Sequence, residues 1–276
     1  MLTNKQKYEK YKPKKFLGQN FLVDENIAKK IVSSLEISED DTVVEIGPGQ
    51  GVLTKYICQL TSNATAVEID SSIFNKLTET FKDKIILIHG DFLKFDILKE
   101  VKAIKAGKKI KIIGNIPYNI TSEILFKLFE IADKIDLAVL MMQKEVAKRL
   151  NAKPDTKDYG ILAIQSQIHA RPKILFNVSA ASFFPKPNVD SSVVRLVFNE
   201  SKSDIKDKEL FKKLVKESFG QRRKTLRNSL KKFFESKNIL FENIDFDFGR
   251  RAGNVRIDEF IEIGNRIYEL QNESKI

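Results

Sequence analysis

The 276-residue chain has no tryptophan, one cysteine and two histidines. A single thiol, Cys58, cannot close an internal disulfide, and with the distant His89 and His169 it forms no metal-ligand spacing. A reducing compartment and no bound metal are the expectation. No apolar run approaches the ~20 residues that a membrane-spanning helix needs. The stretch Met1 to Lys15 is lysine-rich, with no apolar segment ahead of a cleavage site. A soluble, unexported, cytoplasmic protein with no membrane partner is expected. Acidic residues are also few, 37 against 48 Lys and Arg, leaving a net charge of +11. That surplus suits a polyanionic partner and says little about fold; a lysine-rich proteome produces the same surplus without one.

What is present centres on residues 109–118, Lys-Ile-Lys-Ile-Ile-Gly-Asn-Ile-Pro-Tyr. An apolar, β-branched run stops at Gly114. The next four residues combine a side-chain amide, a free carbonyl, a rigid bend and an aromatic face. Pro117 has no backbone N–H and pushes Ile116 into an extended conformation, so the Ile116 carbonyl is free to accept from a ligand. Asn115 offers a second acceptor at a strand's carboxyl end, where open α/β sheets bind ligands. Tyr118 can stack on a base. Two acceptors and a ring suit the exocyclic amine of a purine. A strand-to-helix turn built from common turn residues is the competing explanation.

The remaining pattern favours a nucleoside pocket. Residues 1–15 form a basic arm, either a solvated terminus or a nucleic-acid contact. Asp24 is placed to cap a helix running to about Leu35. Thr42–Ile46 reads as a buried strand, followed by Gly47-Pro48-Gly49-Gln50-Gly51 and an amphipathic helix carrying Val52, Leu53, Tyr56, Ile57 and Leu60. Glycines beside a helix start let the backbone approach electron-rich groups, and the G-x-G-x-G spacing differs from that of dinucleotide folds. The strand Thr65–Asp70 ends in Glu68 and Asp70, and Asp91 follows the strand Ile85–His89, all acids placed for ribose hydroxyls. Thr121 or Ser122 is a candidate cap for a helix through Phe129. Asp136–Gln143 is a fifth strand, followed by a basic helix with Lys144, Lys148 and Arg149. Lys173–Val178 and Ser192–Phe198 flank a proline-stiffened loop in which Phe183, or else its neighbour Phe184, could form the second wall of a base site; core packing of both is the alternative. Past a polar boundary at Asn199–Lys208 the periodicity turns helical. Those helices carry Arg222, Arg223, Lys224, Arg227, Lys231 and Lys232, expected to contact phosphate.

Five stretches together resemble a known family: residues 18–22 (GQNFL), 45–51 (EIGPGQG), 115–118 (NIPY), 183–191 (FFPKPNVDS) and 222–228 (RRKTLRN). In that order, across residues 14 to 260, the chain is similar to the ribosomal RNA adenine N6,N6-dimethyltransferases of the bacterial small-subunit (16S) type. The related enzymes that act on large-subunit RNA and confer macrolide resistance share the first four stretches, and the arginine-rich fifth argues against them. The resemblance implies an α/β chain: a Rossmann-like class I methyltransferase sheet of seven mostly parallel strands over residues 16–200, then a small all-α RNA-binding domain over 207–276. It implies S-adenosylmethionine as cofactor, held by Asn20, Leu22, Gly47, Gly49, Glu68, Asp91 and Asn115. It also implies dimethylation of two adjacent adenines near the 3′ end of small-subunit RNA, within an immature ribosomal subunit and by a monomer, with Asn115, Ile116, Pro117, Tyr118 and Phe183 at the reacting base. An assembly factor with little chemistry and a DNA adenine methyltransferase are the rival functions.

Overall fold

The computed structural model describes residues 13–198 and 204–273. These fall into two compact units, one built from the chain up to Lys148 and from His169 onward to the polar boundary, the other from Arg149–Ile168 together with the C-terminal residues.

The first unit contains nine strands: β1 (Phe21–Leu22), β2 (Val43–Ile46), β3 (Ala64–Glu68), β4 (Ile86–His89), β5 (Ile110–Asn115), β6 (Ile135–Gln143), β7 (Arg171–Val178), β8 (Phe183–Phe184) and β9 (Ser191–Val197). Seven form one sheet in the order β4-β3-β2-β5-β6-β9-β7. The pairs β2–β3, β2–β5, β3–β4 and β5–β6 are parallel. β9 runs antiparallel to both β6 and β7. Parallel strands covered on both faces need continuous apolar runs, which is why Val43–Ile46 and the stretch from Leu137 to Met142 are buried throughout.

Strand order reverses between β2 and β5. From β2 the chain steps outward to β3 and β4; from β5 it steps the other way to β6. Such a reversal leaves a crevice beyond the carboxyl ends of the two strands. Gly114 lets them meet: it pairs with Ile46, and a Cβ there would lie 2.8 Å from the Ile46 carbonyl oxygen. Gly114→Ala is therefore expected to destabilise the fold by about 1–3 kcal/mol, the usual range for overpacking. An unchanged unfolding midpoint in urea would contradict that contact.

Two local expectations fail here. The helix after the glycine turn is only Thr54–Ile57, and Leu60 is exposed, because Gly47, Gly49 and Gly51 all take positive φ and spend the segment's first residues on turns. Thr121 does not cap the helix Thr121–Glu130; it lies inside it and its hydroxyl donates back to the Pro117 carbonyl, 3.0 Å. Asp24 does cap, accepting from Asn26 and Ile27 amides at 2.9 and 3.1 Å.

The second unit is helical. Lys208–Gly220, Leu226–Ser229, Lys231–Glu235 and Ile257–Glu273 bury Leu214, Val215, Leu226, Leu230, Phe260 and Ile263 in one core. Tyr159, Ala163 and Ile164 belong to the same core, and the Tyr159 hydroxyl donates to the Val255 carbonyl at 2.9 Å. A division near residue 200 thus misses an earlier piece, 149–168, that packs with the C-terminal helices.

Candidate active site

Four loops surround the crevice: Gly47–Gln50 after β2, Ile69 after β3, Gly90–Phe92 after β4 and Ile116–Tyr118 after β5. With residues 16–22 they line a cavity of about 260 Å³. All the residues expected to hold a cofactor, Asn20, Leu22, Gly47, Gly49, Glu68, Asp91 and Asn115, line it, together with Ile116, Pro117 and Tyr118.

Asn115 Nδ2 donates to the Asn20 carbonyl oxygen at 2.8 Å. A carbonyl only accepts, so this bond turns the amide nitrogen toward Asn20 and leaves Oδ1 as the acceptor. Ile116 is buried, and its N–H donates to the Met141 carbonyl at 2.9 Å. Among the described residues no hydrogen bond ends on the Ile116 carbonyl oxygen. Pro117, at φ −57° and ψ 132°, starts the turn that carries the half-buried Tyr118. Two unsatisfied acceptors and a ring thus lie on four consecutive residues.

Glu68 is 4% exposed. Its Oε2 accepts from the Gly49 N–H at 3.1 Å and its Oε1 from the Asp70 N–H at 2.8 Å. Each oxygen keeps a second lone pair for a ligand hydroxyl, so Glu68 both shapes the glycine turn and offers an acceptor. Burial pushes its carboxyl above the ordinary range. A Cβ at Gly47 would meet nothing within 4 Å, so that turn faces open cavity.

Glu45 belongs to the glycine motif, yet the sequence gives it no role. It is fully buried; Thr54 Oγ1 donates to its Oε2 at 2.7 Å, and its Oε1 has no partner among the described residues. Burial, with help from the nearby Glu68 charge, raises its pKa to about 8. A carboxyl raised in the folded state loses stability as pH rises from its unfolded value toward its folded one. The ligand-free protein is therefore expected to become less stable from about pH 5 to pH 8, by up to about 1.4 kcal/mol per pH unit from this group. Glu45→Gln should flatten that decline, and an unaltered pH profile of urea unfolding in the variant would exclude Glu45 as its source.

Residues 14–22 are tied down by contacts that sequence reading does not supply. Lys14 Nζ and Gln19 Nε2 reach the two oxygens of the buried Asp70 carboxylate, each at 3.0 Å. Gln19 Oε1 accepts from the Lys14 N–H at 2.7 Å. Asp70, read as a ribose acid alongside Glu68, instead caps the helix Ser71–Phe81 and anchors this segment. Lys14 is accordingly not simply solvated; the rest of the basic arm, to Lys12, lies outside the described residues. Lys127 is a second missed residue: its ammonium donates to the Leu93 and Phe95 carbonyls at 2.8 and 2.6 Å, fixing the loop that carries Asp91. Lys127 stood out only as a charged side chain on an otherwise apolar stretch of helix, and Lys14, one lysine in a basic run, carried no signal of its own.

Phe183 needs correction. β8 pairs with β1 in the register Leu22↔Phe183 and Phe21↔Phe184. This turns Phe183 into the core with Leu22 and Val193, where it is 4% exposed, and leaves Phe184 half-buried.

The basic residues are also placed differently. Lys144, Lys148 and Arg149 do lie on a helix, Lys144–Leu150. Arg222, Arg223 and Lys224 sit in the turn after Gly220, and of the four only Arg227 is helical. Arg222 donates to the carbonyls of Lys157 and Tyr159, so it braces the helical unit. Arg227 pairs with Glu242 at 3.2 Å and lies 4.9 Å from the Phe241 ring centroid. Arg223 and Lys224 are exposed, with no side-chain partner among the described residues.

Residues 10–269 match the model of the ribosomal RNA adenine dimethylase family. The chain belongs to that family. It is 42% identical over 258 residues to the ribosomal RNA small subunit methyltransferase A of Francisella tularensis subsp. tularensis (strain WY96-3418), covering 93% of this chain and 98% of that one. The fold is similar to the crystal structure of a dimethyladenosine transferase from Plasmodium falciparum, with a TM-score of 0.70, 25% identity and coverage of 92% and 98%. The 23S rRNA methyltransferase ErmE shares the fold at 24% identity, with a TM-score of 0.62 and coverage of 90% and 100%. Family membership makes this chain an rRNA methyltransferase, an enzyme of the class I methyltransferase fold.

Proposed function

We propose that the protein dimethylates N6 of two adjacent adenines near the 3′ end of small-subunit ribosomal RNA, acting as a monomer in the cytoplasm on an immature subunit. The observation that carries the chemistry is the pair of open acceptors, Asn115 Oδ1 and the Ile116 carbonyl, on the cavity wall beside Tyr118.

S-adenosylmethionine, when bound, supplies an electrophilic sulfonium methyl group. The residues fit it: the open space over Gly47, the spare lone pairs of Glu68 and the carboxylate of Asp91 suit a ribose and a cationic donor. Adenine N6 is a poor nucleophile because its lone pair is delocalised into the ring. Hydrogen bonds from its two hydrogens to Asn115 Oδ1 and the Ile116 carbonyl favour a pyramidal nitrogen with that pair free. The same acceptors stabilise the positive charge that develops as the N–C bond forms. The extra proton then leaves to water, so no general base is required. After one transfer N6 keeps a single hydrogen, and one of the two acceptors suffices to hold it for the second. Tyr118 stacks on the base, and Phe184, the half-exposed member of its pair, is the candidate for the opposite face.

Phosphate contacts position the RNA while the pocket selects the base. Arg223 and Lys224, in the turn after Gly220, are exposed cations with no side-chain partner among the described residues. Replacing both with alanine is expected to weaken binding to small subunits and to make its salt dependence shallower by roughly 0.7–0.9 in log–log slope per lost contact. Unfolding midpoint and cofactor affinity should not move. Arg222→Ala, by contrast, should lower stability because it breaks the brace to residues 157 and 159. Identical salt slopes for parent and double variant would remove this turn from the RNA interface.

Substrate class is tested by offering labelled S-adenosylmethionine with small subunits lacking the modification, large-subunit RNA and duplex adenine-containing DNA. Label is expected in the small subunits alone. Label in large-subunit RNA or DNA would favour the rival enzymes, and tight subunit binding without label an assembly factor.

A further inference from the structure

We infer that Ser191 is a positioning residue for the reacting base: its hydroxyl fixes the Tyr118 ring in the plane on which the adenine stacks. The inference rests on the base-site reading above.

Tyr118 enters from a turn, and a tyrosine in that setting can swing about two side-chain torsions. A base stacks well only on a ring whose plane is already set, since ordering the ring on binding costs affinity. The structure supplies a stop for it. The Tyr118 hydroxyl lies 2.7 Å from Ser191 Oγ, in hydrogen-bond contact. Ser191 is fully buried in β9, paired with Gln143 of β6 on one side and Val178 of β7 on the other. Its neighbour Asp190 is fixed as well: the Asp190 carbonyl accepts from the Lys144 N–H and its Oδ1 from the Ala180 N–H, both at 3.0 Å. The hydroxyl that meets Tyr118 is therefore carried on backbone held from both sides.

The Ala180 contact adds a second consequence. Residues 180–182 form the short turn that delivers Phe183 and Phe184. Asp190 and Ser191 thus link the Tyr118 face to the segment bearing the opposite face. A serine satisfied merely for its own burial would not require its partner to be the stacking ring.

The test is a double-mutant cycle of Ser191→Ala and Tyr118→Phe, with Tyr118→Ala as reference. The readouts are kcat and KM for small subunits, cofactor affinity by calorimetry and unfolding midpoint. Ser191→Ala and Tyr118→Phe remove the same hydrogen bond from opposite ends, so each is expected to lower kcat/KM for RNA about five- to tenfold. The double variant should be no worse than either single, with cofactor affinity unchanged throughout. Multiplying losses, a parallel loss of cofactor affinity, or parent kcat/KM in both single variants would overturn the inference. If Tyr118→Ala keeps parent activity, the base-site reading itself fails and takes this inference with it.

Discussion

Replacing Asn115 with alanine is expected to lower kcat about 10²–10³-fold with RNA saturating, the usual loss when a preorganised polar partner of the transition-state charge is removed. The charge on N6 appears only as the methyl group transfers, so the interaction is stronger in the transition state than with bound substrate. Folding should suffer little: Asn115 is only partly buried and its one described side-chain bond is to the Asn20 carbonyl. That bond also ties Asn115 to the segment lining the cofactor cavity, so cofactor affinity has to be measured alongside kcat. Asn115→Asp is the sharper control. It keeps an acceptor oxygen but sets a carboxylate against the Asn20 carbonyl, removing the donor that orients the group. Parent-level kcat in the alanine variant would rule out the assigned chemistry.

Glu68→Ala should weaken S-adenosylmethionine binding by about 1.5–3 kcal/mol, roughly ten- to a hundredfold, because a buried acceptor for a ribose hydroxyl is lost. The same change releases the Gly49 and Asp70 N–H groups that Glu68 holds at 3.1 and 2.8 Å. A stability loss is therefore expected as well, and Glu68→Gln, which keeps an acceptor oxygen, should recover part of both. Calorimetry that finds parent affinity in the alanine variant would take Glu68 out of the cofactor site.

The sheet was legible in the sequence because its signals are local. Apolar, β-branched runs such as Val43–Ile46 and Ile110–Asn115 end in glycine, acid or amide, and a parallel sheet buried on both faces leaves few other uses for them. Gly47, Gly49, Glu68, Asp91 and Asn115 stood out as candidates for the same reason, since each ends a strand or sits in the turn just beyond it, whereas Asn20 and Leu22 followed only from the family resemblance. What escaped depends on partners distant in the chain. The Tyr159–Val255 hydrogen bond spans 96 residues and brings 149–168 into the helical unit. Lys14 and Asp70 are 56 apart. The choice between Phe183 and Phe184 is one of register, because a shift of one residue in a strand exchanges buried and exposed faces; only the pairing of β8 with β1 decides it. The run 222–227 read as helical by periodicity, and its break after Gly220 left three of its cations on a turn.

The most direct measurement is to incubate the enzyme and S-adenosylmethionine with small subunits lacking the modification, digest the RNA and analyse its nucleosides and fragments by mass spectrometry. Two N6,N6-dimethyladenosines on adjacent positions near the 3′ end are predicted, four methyl groups per subunit. A product stopping at monomethyladenosine, or methyl groups on any other atom or base, would contradict the account.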